Sequence, residues 1–91
     1  MALKKWTIDF KETALKELSK LDKPVQERIL TFLENKVSCL DNPRTLGHQL
    51  MGNLSKYWRY RVGDYRLICT IKDKEITIYV VHVGHPREIY H

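Results

Sequence analysis

The 91-residue sequence predicts an α+β fold in which two N-terminal helices pack on one face of a small, mostly antiparallel four-stranded sheet. Two observations support this prediction. The hydrophobic period changes from two residues to about 3.6 after the first ten residues, and it returns to two beyond residue 56. A glycine-led turn, Gly63-Asp64, separates two of the later strand-like runs. The predicted order of elements is strand, helix, helix, strand, strand, strand (β-α-α-β-β-β).

The first strand and the first helix follow from these two periods. Residues 4–10 alternate apolar and polar side chains, as a half-buried strand does. Residues 11–21 then repeat at helical spacing. The predicted apolar stripe of this short helix consists of Ala14, Leu15, Leu18 and Leu21.

A second helix is predicted to start near Lys23. Asp22 can cap its first turn, and Pro24 is tolerated there because the first turn needs no amide donor. Asn42-Pro43 ends this helix. Its predicted stripe consists of Val25, Ile29, Phe32, Leu33, Val37 and Leu40. The connection that follows is expected to be anchored to the core by Leu46, Leu50 and Leu54.

The segment from Lys56 to Arg66, KYWRYRVGDYR, has the most unusual composition in the chain. A two-residue loop led by glycine favours a type II′ hairpin turn, which would pair Arg61 with Arg66. Alternation then predicts a core face with Trp58, Tyr60, Val62, Tyr65, Leu67, Cys69 and Ile71. The opposite face, which we name the arginine face, carries Tyr57, Arg59, Arg61, Arg66, Ile68 and Thr70.

The arginine face predicts a phosphate site. Guanidinium groups directly opposed across two strands destabilise a sheet unless an anion lies between them. Their planar donors match phosphate oxygens in pairs. A solvated basic face, screened by salt, is the alternative. The chain as a whole carries sixteen Lys and Arg against eleven Asp and Glu, which favours an acidic partner, either nucleic acid or an acidic protein segment.

The rest of the chain predicts one more strand and a short tail. Lys72 to Glu75 forms a turn, and Ile76 to Val83 is apolar almost throughout, as a central strand is. The tail after Gly84 reads HPREIYH. In the final strand, His82 is expected to point to the helix-packed face as a hydrogen-bonded histidine at the edge of the core.

Chain length and cysteine content limit the class of protein that the sequence can encode. Residues 1–91 suffice for a single domain with one modest core. Cys39 and Cys69 are expected to be buried, reduced thiols, and no metal site or cofactor is predicted. The sequence shows no signal peptide and no run of eighteen apolar residues, so we expect a soluble, cytoplasmic protein with no membrane partner.

Four motifs follow the predicted helices: L-x-G, W-R-x-R-x-G-x-Y-R-L-I, an apolar strand ending in V-G-H, and R-E-x-Y. They occupy Leu50 and Gly52, Trp58 to Ile68, Val83 to His85, and Arg87 to Tyr90. Their order and spacing resemble the RelE/ParE superfamily of bacterial toxin–antitoxin systems, and the resemblance covers essentially the whole chain. It implies a RelE-like fold.

The resemblance implies two alternative activities. RelE-like proteins are ribosome-dependent endoribonucleases that cleave mRNA in the decoding site, where they also contact ribosomal RNA. ParE-like proteins bind and poison DNA gyrase without nuclease activity. Both kinds are neutralised by a small antitoxin, which we expect to be acidic. The endoribonuclease is our first hypothesis, the gyrase poison is the second, and a plain RNA-binding module is the third.

The resemblance also implies site residues. In RelE-like enzymes basic residues on the hairpin and an Arg and Tyr in the tail stabilise the reacting phosphate, which carries over to Arg59, Arg61, Arg66, Arg87 and Tyr90. Some RelE-like enzymes have lysines where this chain has arginines, and arginine cannot act as a base. Some relatives have a histidine near the tail, and His85 occupies that place. His85 is thus the predicted proton-transfer residue, as base or acid; the alternative is a solvated loop histidine.

The remaining predicted contacts lie at the edges of the arginine face. Lys56 and His48, with Arg59 and Arg61, are the predicted RNA-binding residues. For Tyr90, base stacking or proton donation competes with a hydrophobic plug at the sheet edge. Trp58 and Tyr60 are expected to face the core and not to stack on bases.

Overall fold

A computed structural model of the protein describes residues 3–89. The strands are β1 (Thr7–Phe10), β2 (His48–Gln49), β3 (Tyr57–Val62), β4 (Tyr65–Lys72) and β5 (Thr77–Gly84). The helices are α1 (Glu12–Ser19), α2 (Lys23–Asn35) and α3 (Pro86–Ile89). Within the described residues, no helix has both the length and the apolar character that a membrane span requires.

The strands form one mixed sheet in the order β1-β5-β4-β3-β2. β1 pairs with β5 in parallel, and all other neighbours are antiparallel. The predicted α+β class, the mostly antiparallel sheet and the central position of β5 are confirmed. The predicted number of four strands is wrong, because His48 and Gln49 add a fifth strand beside β3. Two residues are too few to show a period of two in the sequence.

The predicted hairpin is confirmed in turn and register. Gly63 has a φ of 58°, which the first central position of a type II′ turn requires. Val62 pairs with Tyr65, and Arg61 pairs with Arg66. The core face is also as predicted, since Tyr60, Val62, Leu67 and Cys69 are buried. Burial raises the pKa of the Cys69 thiol, so it stays protonated.

The helices cover the core face of the sheet. Ala14 and Leu18 of α1 join Ile29 and Leu33 of α2 in one apolar cluster with the strands. The prediction for Leu15 is wrong, because 51% of its surface is exposed. The second helix begins as predicted but ends at Asn35, and the chain continues as a 3₁₀ turn, Val37–Cys39, that still buries Val37. The apolar spacing persists through this tighter turn, which explains the overestimated length.

The connection between α2 and β3 is held by polar contacts. Of its predicted anchors, Leu46 and Leu54 are exposed and Leu50 is partly buried. Instead, the buried Tyr60 hydroxyl donates to the carbonyl of Pro43 at 2.6 Å. The Arg44 guanidinium donates to both carboxylate oxygens of Asp73, at 3.1 and 2.6 Å, and holds the pKa of that carboxyl below its usual range. Hydrophobic spacing could not reveal these bonds.

The final strand starts one residue later than predicted. Ile76 lies in the left-handed region, with a φ of 50°, and closes the 3₁₀ turn Asp73–Glu75. Its carbonyl then accepts from the amide of Thr7, which aligns β1 with β5. A bulge follows within the β4–β5 pair, next to Ile68 and Cys69. This bulge changes which face the end of β5 presents.

We predict that Tyr60→Phe lowers the free energy of unfolding by about 1–2 kcal/mol, because it leaves the Pro43 carbonyl without its donor. Urea denaturation at neutral pH measures this loss. Burial raises the pKa of Tyr60 in the folded state. The stability that its hydroxyl provides is therefore complete below about pH 10, the pKa of an unfolded tyrosine, and decreases above it.

Tyr57→Phe is the matched control, because Tyr57 lies on the opposite face of the same strand. Its unfolding free energy should stay within about 0.5 kcal/mol of the parent. Equal losses in the two variants would contradict a special role for the Tyr60–Pro43 hydrogen bond.

Candidate functional site

The arginine face is formed by the hairpin of β3 and β4. Arg61 and Arg66 are directly paired across the two strands, and Arg59 lies opposite Ile68. On the other side of β4, Arg66 lies opposite Gly84 of β5. Gly84 has no side chain and is itself buried. The structure thus places all three hairpin arginines together, as predicted.

Arg66 is fixed in place by its own turn. Its Nη1 donates to the carbonyl of Gly63 at 3.2 Å and to that of Tyr65 at 3.0 Å. These two bonds use one nitrogen of the guanidinium, so Nε and Nη2 are the donors that can face a ligand. Arg66 is half-buried, and Arg61 is exposed. The pair therefore combines one cation held by the turn with one exposed to solvent.

Arg28 contributes a further cation at the hairpin that the sequence did not indicate. It projects from α2 behind the turn, where a Cβ on Gly63 would lie 2.9 Å from its Nη1. Gly63 is required for its positive φ, whereas the Arg28 guanidinium, at the end of a flexible side chain, can move away from an added Cβ. The helical pattern of α2 shows only that Arg28 lies off the apolar stripe, so its proximity to the turn could not be inferred.

The two predicted residues at the edges are placed differently. β2 pairs His48 with Arg59, which brings an exposed histidine beside the arginine face. Lys56 precedes β3, and its ammonium lies 5.1 Å from the centre of the Tyr57 ring. Five residues of extended chain, about 16 Å, separate Lys56 from Arg61. Lys56 therefore extends the basic surface but does not join the arginine pair.

The tail continues from Gly84, the residue opposite Arg66. Gly84 is the last residue of β5, and Pro86 begins α3, so the half-buried His85 is the residue that caps α3. Its Nδ1 accepts from the amide of Arg87 at 3.3 Å. His85 thus directly follows Gly84, the residue opposite Arg66, and the exposed Arg87 lies two residues further on. Tyr90 lies outside the described residues.

His82 does not occupy the predicted position. The bulge leaves His82 opposite Ile68, while Val80 lies opposite Cys69. This shift moves His82 from the helix-packed side to the side of Ile68, which belongs to the arginine face. The expectation of a hydrogen-bonded edge residue is confirmed, because Nδ1 lies 3.2 Å from Oε1 of Glu17 on α1. A bulge has no signature in an apolar run, so strict alternation gave the wrong face.

Comparisons with known proteins agree with this geometry. The model of the family described as "ParE toxin of type II toxin-antitoxin system, parDE" matches residues 8–90. The chain is 35% identical over 78 residues to the mRNA interferase toxin RelE of Escherichia coli strain K12. The alignment covers 85% of this chain and 79% of that protein.

Solved structures of such toxins have the same fold. The toxin–antitoxin complex RelBE2 from Mycobacterium tuberculosis includes a chain with a TM-score of 0.82 and 28% identity, covering 91% of this chain and 93% of that chain. A mutant of the Escherichia coli toxin RelE in the free state gives a TM-score of 0.74 and 28% identity, covering 99% and 90%. The chain therefore belongs to the RelE/ParE toxins of type II toxin–antitoxin systems.

Proposed function

We propose that this toxin is a metal-independent, ribosome-dependent endoribonuclease that cleaves mRNA through attack of a ribose 2′-hydroxyl. The observation that carries the proposal is the Arg61–Arg66 pair, which lies in register with Gly84 immediately before His85. Two opposed guanidinium groups favour a bound phosphate, and a histidine beside a bound phosphate can assist its reaction. The name mRNA interferase, which the Escherichia coli relative carries, is consistent with this chemistry.

The arginines would stabilise the negative charge of the transition state. Attack by the 2′-oxygen forms a phosphorane with more negative charge than the ground state. Nε and Nη2 of Arg66 and the exposed guanidinium of Arg61 can donate to its oxygens. Arg87, at the start of α3, would add a third cation. Because Arg66 is already held by two carbonyls, little of its entropy is lost when the phosphate binds.

His85 would act as a hydrogen-bond donor to the phosphate. The amide of Arg87 is a donor, so Nδ1 of His85 must be the acceptor, and the neutral ring carries its proton on Nε2. Nε2–H can then face the reacting phosphate or the departing 5′-oxygen. We include Tyr90 as its partner on the strength of the R-E-x-Y resemblance.

The RNA would extend along β3. His48 and Arg59 lie side by side, and Lys56 lies at the start of the strand, so the basic surface continues away from the arginine pair. These residues would contact phosphates and ribosomal RNA, and thereby position the message without reading its sequence.

The partner that restrains the toxin would be an acidic antitoxin. The RelBE2 structure is that of a toxin–antitoxin complex. This chain has a net charge of +5 and exposes Leu15 and Leu30 on its helices. A partly disordered acidic segment that folds on binding could cover both kinds of surface.

A gyrase poison is the second candidate, because the matching family model is described as a ParE toxin. The decisive experiment adds the purified toxin to translating ribosomes and, separately, to DNA gyrase with a relaxed plasmid. We expect mRNA cleavage on ribosomes and normal supercoiling. Intact mRNA together with inhibited supercoiling would replace the endoribonuclease by the gyrase poison.

We predict that Arg61→Ala weakens binding to RNA and lowers the slope of log K against log salt by about one unit, since one phosphate contact is lost. Arg66→Ala should do the same and should also cost about 1 kcal/mol of stability, because two hydrogen bonds to the turn disappear. Binding titrations at several salt concentrations measure the slopes.

Lys20→Ala is the control for these arginine variants. It removes one positive charge at the end of α1, on the helix side of the sheet. If Lys20→Ala changes the salt slope as much as Arg61→Ala does, the RNA does not bind at the arginine face.

We predict that His85→Ala lowers single-turnover cleavage of ribosome-bound mRNA by roughly 10²-fold, the usual scale for one donor to a developing charge. His85→Asn is the matched variant. An asparagine can still accept from the Arg87 amide and cap α3, but it lacks the imidazole. Cleavage should remain low in both variants. Recovery of the parental rate in His85→Asn would show that His85 serves only to hold the tail.

A further inference from the structure

Two histidines at the end of β5 have opposite hydrogen-bonding partners at the same ring atom. Nδ1 of His82 lies 3.2 Å from a carboxylate oxygen of Glu17. Nδ1 of His85 lies 3.3 Å from the backbone nitrogen of Arg87. A carboxylate only accepts hydrogen bonds and an amide N–H only donates them, so the two neutral rings must be opposite tautomers.

The tautomers decide which histidine can take a proton. In His82, Nδ1 carries the hydrogen and Nε2 carries the lone pair. In His85, the lone pair of Nδ1 is used by the amide of Arg87, and Nε2 carries the hydrogen. His82 is therefore arranged as a base and His85 as a donor.

Glu17 is held in a position from which it orients His82. Its Oε1 also accepts from the amide of Val83 at 3.1 Å. β1 ends opposite Val80, so it does not reach this amide, and the carboxylate takes the place of a neighbouring strand. One carboxylate oxygen thus accepts from both the backbone amide of Val83 and the imidazole of His82.

The register places His82 beside the phosphate site. His82 lies opposite Ile68, and this pair is two residues along the strands from the Arg66–Gly84 pair. Diagonal neighbours of this kind have Cα atoms about 7–8 Å apart, which the side chains of Arg66 and His82 can span around one phosphodiester. His48, the other histidine in this row, lies on β2 beyond Arg59.

We propose that His82 is the general base of RNA cleavage and that Glu17 is its positioning residue; the assignment rests on the proposed function. Nε2 takes the proton of the 2′-hydroxyl while the 2′-oxygen bonds to the adjacent phosphorus. The bond from phosphorus to the 5′-oxygen breaks, and that oxygen takes a proton from solvent. The products are a 2′,3′-cyclic phosphate and a 5′-hydroxyl, and the imidazolium, paired with Glu17, later returns its proton to solvent.

The first test is single-turnover cleavage of ribosome-bound mRNA. His82→Ala and His82→Gln should each lose about 10²-fold in rate. Glu17→Gln keeps one oxygen that can accept from both Nδ1 of His82 and the Val83 amide, but it removes the negative charge that stabilises the imidazolium. It should lose at least about tenfold. Glu12→Gln, an exposed acid on the same helix, is the control and should cleave at the parental rate.

The second test is the pH dependence of the rate, which a purely structural role would not change. The charged groups that face His82 are Glu17 from α1 and, diagonally on β4, Arg66. A base acts only in its unprotonated form, so the parental rate should increase with pH, and this increase should be absent in His82→Ala. Thermal unfolding of each variant reports whether the fold is retained.

The third measurement does not need activity. The ¹⁵N shifts of the imidazole nitrogens should show Nδ1–H for His82 and Nε2–H for His85. The opposite tautomer in the parent overturns the proposal. So does a folded His82→Ala variant that cleaves at the parental rate, while the proposed function stands. A parent chain that leaves ribosome-bound mRNA intact overturns the endoribonuclease and the base together.

Discussion

The candidate site depends on the close approach of two positively charged side chains, Arg61 and Arg66. The type II′ turn at Gly63 fixes the register of β3 and β4, and that register leaves Arg61 no position other than opposite Arg66. Such a pair costs free energy in the absence of an anion. The fold tolerates the cost because two carbonyls hold Arg66 and because Arg61 is exposed to solvent. An anion bound between the two guanidinium groups would relieve this repulsion.

The second constraint is the bulge between β4 and β5. Without it, His82 would point into the helix layer, where an ionisable ring would need a buried partner. With it, His82 emerges at the edge of β5, where α1 supplies a carboxylate and the arginine face begins. One irregular residue in an otherwise regular strand thus brings together groups from three elements. Bulges beside active sites serve this purpose in many sheets.

Local signals explain what could be predicted from the sequence. The hairpin, its register and the arginine face follow from Gly63-Asp64 and a period of two, both of which act over a few residues. The fifth strand, the Tyr60–Pro43 hydrogen bond and the Glu17–His82 contact depend on residues that are far apart in the chain. Exposure of Leu46 and Leu54 shows the same limit, because spacing reveals a stripe but not whether another layer covers it. For His85, the motif indicated the position, whereas the proton location required the geometry of its neighbours.

The parallel pairing of β1 with β5 determines how late in synthesis the sheet can be completed. Thr7 pairs with Thr77, so β1 can pair only after β5 has been synthesised, 70 residues later. Contacts of such high sequence separation form late in folding. Arg66 meets Gly84 and the tail only after β5 has joined the sheet. A nascent chain that has not yet reached β5 therefore carries the hairpin arginines without Gly84 and the tail beside them, so the complete arginine face forms only when most of the chain has been synthesised.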